Sequence, residues 1–122
     1  MSYPRIDTVA PTVRRGLVTA ITGDAATLPN HGVVTITSTS GNVTHTLRPP
    51  KSGSELAMIA LAVGGGTITV NANSTGTSFT TTGANQLTLD AAKEAVILRG
   101  LSPSAWMIAS NHNSVGVATR ST

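Results

Sequence analysis

From Gly16 onward the chain is a series of short apolar runs, each cut by glycine, proline or asparagine before a stable helix could build up. "VVTITS" (Val33–Ser38), "VTHTLR" (Val43–Arg48), "TITVNA" (Thr67–Ala72) and "QLTLD" (Gln86–Asp90) alternate apolar and polar residues. A period of two puts every second side chain on one face, which is the pattern of a half-buried strand. Val34 and Ile36 should therefore point inward together, as should Val43 and Leu47, Ile68 and Val70, and Leu87 and Leu89. "ELAMIAL" (Glu55–Leu61) is apolar almost throughout, as expected of a central strand covered on both faces.

Turn chemistry fills the intervals. "TSGN" (Thr39–Asn42) joins two alternating runs and reads as the turn of a hairpin. "PPKSG" (Pro49–Gly53) is a rigid turn, and Gly64-Gly65-Gly66 reads as a tight one. Asp90 stands where a helix N-cap would, but "AVILR" is strand-like, so the chain should turn at Ala91–Glu94 and then extend. A turn at Ser102–Ser104 leads to a last strand around Trp106–Ile108. With "GLVTAIT" (Gly16–Thr22), this gives an all-β domain of about eight strands, a single small β-sandwich or barrel, with a jelly roll as one topology in that class. Residues 1–15 hold Pro4 and Pro11, show no helical period and read as an extended N-terminal arm. The β-domain spans 16–110, and 111–122 is a polar C-terminal tail.

Composition limits the chemistry. Tyr3, Phe79 and Trp106 are the aromatic residues, so aliphatic side chains must build the core, each contributing about 1.5–3 kcal/mol when fully buried. Ser and Thr make up about a quarter of the 122 residues, whereas charged residues make up 11%. A free monomer usually carries about 25–35% charged residues on its surface, so a surface this neutral suits a protein packed against neighbours. Cysteine is absent, which excludes disulfides and thiolate metal sites. No apolar run approaches the roughly 20 residues of a membrane-spanning helix, and the N-terminus lacks the apolar core of a secretory signal. No membrane partner is expected, and the cytoplasm of the producing cell is the expected place of synthesis. The net charge is +3, and the one local concentration of bases is Arg5, Arg14 and Arg15. Without stacking aromatics beside them, nucleic acid is not the expected partner.

Catalytic patterns are missing. The Gly64–Gly66 run leads into Thr67-Ile68-Thr69-Val70 rather than Lys-Ser/Thr and a helix, so it is a turn and not a phosphate loop. His31, His45 and His112 are far apart, and His45 reads as an outward-facing surface residue. Asp90 and Glu94 read as turn-capping and solubilising groups, not a glycosidase pair. The chain is therefore not expected to be an enzyme, or to hold a metal or cofactor. Trp106 is the one large anchor, for the core or for a subunit contact.

The pieces Thr46-Leu47-Arg48-Pro49-Pro50-Lys51-Ser52-Gly53, Glu55–Leu61, Thr67–Asn71, Leu87–Asp90 and Trp106-Met107-Ile108 stand in an order that resembles bacteriophage head-decoration (cement) proteins and related head- or tail-fibre modules. The resemblance is one of layout over roughly two-thirds of the chain. It implies a structural virion protein that binds the major capsid protein from outside as a homo-oligomer, with a trimer favoured, and stabilises the shell. It implies a virion location and an arm that clamps neighbours, with Arg5, Arg14 and Arg15 as candidate partners of acidic capsid groups. The alternative is a fibre module that recognises host surface glycan through Thr/Asn-rich loops such as Asn73–Asn85.

Overall fold

The computed structural model describes residues 18–39, 41–74, 76–80, 83–113 and 115–119. The arm and its arginines Arg5, Arg14 and Arg15 lie outside them. The described residues form ten strands and no helix. These are β1 (Val18–Thr22), β2 (Thr27–Leu28), β3 (Gly32–Thr37), β4 (Val43–Leu47), β5 (Glu55–Ala62), β6 (Ile68–Asn71), β7 (Gln86–Leu89), β8 (Ala95–Ser102), β9 (Ala105–His112) and β10 (Gly116–Ala118).

They build two five-stranded sheets, in the orders β1-β3-β5-β8-β9 and β10-β7-β6-β4-β2. From β1 to β6 the chain changes sheet at every step. Strands β1, β3 and β5 pair in parallel in the first sheet, and β2, β4 and β6 pair in parallel in the second. Parallel neighbours need a long crossover. Here the intervening strand of the opposite sheet supplies it, so the first half of the chain winds as a flattened coil. The second half closes the coil with antiparallel strands: β7 on β6, β8 on β5, β9 on β8 and β10 on β7.

The all-β body stands, but its details differ from the sequence expectation. Val33–Ser38 and Val43–Arg48 do not form a hairpin, because β3 and β4 belong to different sheets. The parallel winding replaces a jelly-roll order, and there is no closed barrel. The polar tail is also not all tail: β9 runs on to His112, and β10 pairs with β7.

The face assignments hold. Val34, Ile36, Leu56, Met58, Val96 and Leu98 point from the first sheet into one buried cluster. Val43, Leu47, Ile68, Val70, Leu87 and Leu89 meet them from the second. Gly64 and Gly65 take positive φ (61° and 83°) in the turn between β5 and β6, where a side chain would be strained. The turn at 91–94 also forms, with no helix after Asp90. The Glu94 carboxylate, rather than that of Asp90, closes it by accepting the Asp90 N–H at 2.8 Å.

Candidate interaction surface

The two outer sheet faces differ in chemistry. On the second sheet, register aligns Thr44, Thr69 and Thr88 in one row and Thr27, Thr46, Asn71 and Gln86 in the next. That face is hydroxyl and amide, and the Gln86 side-chain N–H donates to Asn71 Oδ1 at 2.8 Å. On the first sheet, the matching rows are Val18, Val33, Ala57, Ile97 and Ser110, then Ala20, Thr35, Ile59, Ala95 and His112. That face is mainly aliphatic, with Ser110 and His112 at its β9 edge. Its cause lies in β5 and β8, which carry apolar residues at both parities and so present one set to the core and one set outward.

Among the described residues, no element packs over the aliphatic face. Val18, Leu61, Leu101 and Met107 are 58%, 53%, 56% and 42% exposed. "ELAMIAL" is therefore central in its sheet but covered on one side only. Leu101 and Met107 form a ridge between two surface depressions, of about 380 and 520 Å³. Near it Arg99 Nε meets Glu55 Oε2 at 3.1 Å, an exposed ion pair worth about 0–1 kcal/mol.

The expected anchor Trp106 is 2% exposed and belongs to the core cluster. Its neighbour Phe79, from the irregular segment between β6 and β7, is buried as well. Neither aromatic is available to stack on a base or a sugar. Among the described residues, no group of three His, Cys, Asp or Glu side chains could hold a metal ion.

His45 departs from its expected place. It is fully buried, not outward, because residues 43, 45 and 47 all face the core. Its Nδ1 accepts the Ala26 N–H at 3.0 Å, which pins the segment joining β1 to β2 and leaves the proton on Nε2. Nε2 has no hydrogen-bond partner. Burial lowers the His45 pKa below its ordinary 6.5, with the nearby Asp24 carboxylate opposing. Asp24 accepts the N–H groups of Thr44 and Ala25, which hold its carboxyl below the usual range.

A neutral folded His45 and an unfolded one that protonates near 6.5 mean that the unfolded state binds more protons below that value. Stability is thus complete above pH 6.5 and falls as the pH drops toward the folded pKa. Urea midpoints measured from about pH 7.5 to about pH 5 should decline, and His45→Gln should flatten the decline. Asp24 adds its own loss only below its ordinary 3.8.

No family model, curated protein or solved structure matches the chain.

Proposed function

We propose that the chain is a non-enzymatic structural protein of a bacteriophage particle, which binds the outer capsid surface as an oligomer and stabilises the shell. The observation that carries the reading is the open aliphatic face on a body otherwise closed and poor in charge. A sheet with apolar residues on both sides calls for a second cover, and a structural component finds that cover in its assembly. The layout of strands and turns from Thr46 to Ile108, which resembles head-decoration proteins, supports the same reading. The glycan-binding alternative could draw on the threonine face of the second sheet, but the burial of Phe79 and Trp106 weighs against it.

The arm is assigned to the capsid, with Arg5, Arg14 and Arg15 as bidentate partners for acidic groups. Deleting residues 1–15 should abolish cosedimentation with undecorated shells and leave the circular dichroism of the β-body unchanged. Equal shell binding by the truncated and full-length chains would remove the arm from this role.

A further inference from the structure

We infer that the aliphatic outer face of the β1-β3-β5-β8-β9 sheet is a contact between two copies of this chain, packed face to face. The inference builds on the oligomeric part of the proposed function, with two copies in place of the trimer that the resemblance implies, and is independent of the capsid.

Three observations select a second copy as the occupant. The first is size. Five strands about 4.8 Å apart, rising about 3.3 Å per residue, give a face on the order of 24 by 20 Å, or roughly 500 Å². Two such faces would bury on the order of 1,000 Å², the lower bound for a specific interface. A single added strand covers a stripe only about 5 Å wide, so a face five strands across fits a broader partner.

The second is charge. Glu55 and Arg99 on this face neutralise each other at 3.1 Å, and His112 stands at its β9 edge. A strongly charged partner finds nothing to pair with, whereas an identical neutral face approaches without repulsion. Across a two-fold axis, Glu55 and Arg99 can exchange partners between copies.

The third is layout. Ile59, Ala57 and Ile97 lie at the centre, and Val18, Leu61, Leu101 and Met107 carry apolar surface out to the margins, where Thr22, Thr37 and Ser110 stand among them. An apolar centre continuous with exposed apolar side chains is the kind of patch that marks a protein–protein contact. The opposite face, with its threonine rows, lacks such a centre.

Light scattering on the eluting protein tests this directly. The wild type should run at twice the 12.3 kDa of one chain. Leu61→Arg and Ile59→Arg should each shift it to one chain with unchanged circular dichroism. Leu61 is half exposed, so its substitution leaves the core intact even if Ile59→Arg proves disruptive. Thr46→Arg, on the opposite face, should leave the mass at two chains. A wild type that stays single at millimolar concentration overturns the inference, as does an oligomer that survives both face variants. Shell binding is scored separately. A single-chain protein that still decorates shells sinks the face contact and spares the capsid reading. An oligomer broken by the face variants that ignores shells does the reverse.

Discussion

Gly100→Ala is expected to cost about 3 kcal/mol or more, a large share of the roughly 5–15 kcal/mol that holds a domain of this size together. Gly100 lies in β8 against the turn that follows Pro49-Pro50. Its N–H donates to the Ser54 carbonyl at 2.9 Å, and its own carbonyl accepts the Gly53 N–H at 2.8 Å. A methyl group here would collide with the Lys51 carbonyl oxygen, and would stand 2.8 Å from the Lys51 carbonyl carbon. Both are backbone atoms, which cannot swing aside as a side chain could. The steric clash, not backbone conformation, sets the cost. Gly65→Ala makes the contrast, because Gly65 has positive φ and open space around it. It should cost only about 1 kcal/mol, the strain of a left-handed alanine. Urea unfolding of the two variants separates these cases, and equal losses would contradict the close approach at Gly100.

Phe79→Ala is expected to be the second severe change, at about 3–5 kcal/mol. Phe79 belongs to no long strand, yet it is among the largest fully buried side chains. Its segment is tied to β9 by the Trp106 N–H donating to the Ser78 carbonyl at 2.8 Å, and to the turn before β9 by the Ser78 N–H donating to the Ser104 carbonyl at 3.2 Å. The ring thus plugs the core where the sheets end, and its loss leaves a cavity beside Trp106. Phe79→Leu should keep most of the stability, because it retains much of the buried volume. A loss under about 1 kcal/mol for Phe79→Ala in thermal or urea unfolding would mean that the ring is not a core element.

What the sequence makes legible follows from what a period of two encodes. It specifies which side of a strand is apolar, so the inward pairs Val34 with Ile36, Ile68 with Val70 and Leu87 with Leu89 can be read from alternation alone, and all six are core residues. It does not specify the neighbouring strand. The run after β3 has the look of its hairpin partner, yet β3 pairs with β1 and β5, and β4 pairs with β2 and β6. Parallel pairing across a sheet change leaves no local turn signal. The burial of His45 is encoded in the same alternation, since it sits midway between Val43 and Leu47 on their face. The general preference of histidine for less buried positions points the other way. Strand β10 is too short and too polar in its surroundings to show a period. The apolar residues of the outer face are visible in "ELAMIAL" and "AVILR". That one side stays open depends on the sheet order, which puts β5 and β8 side by side.

If this open face is covered when the protein does its work, its two described methionines report on the cover directly. Met58 is buried in the core, whereas Met107 lies on the face and is 42% exposed in the single chain. Hydroxyl-radical footprinting across a dilution series compares the two in one sample. Met107 should be nearly as protected as Met58 in concentrated protein, and should become reactive on dilution. Rapid oxidation of Met107 at every concentration, with Met58 protected throughout, would show a folded body whose aliphatic face no second copy covers, and would contradict the face-to-face contact.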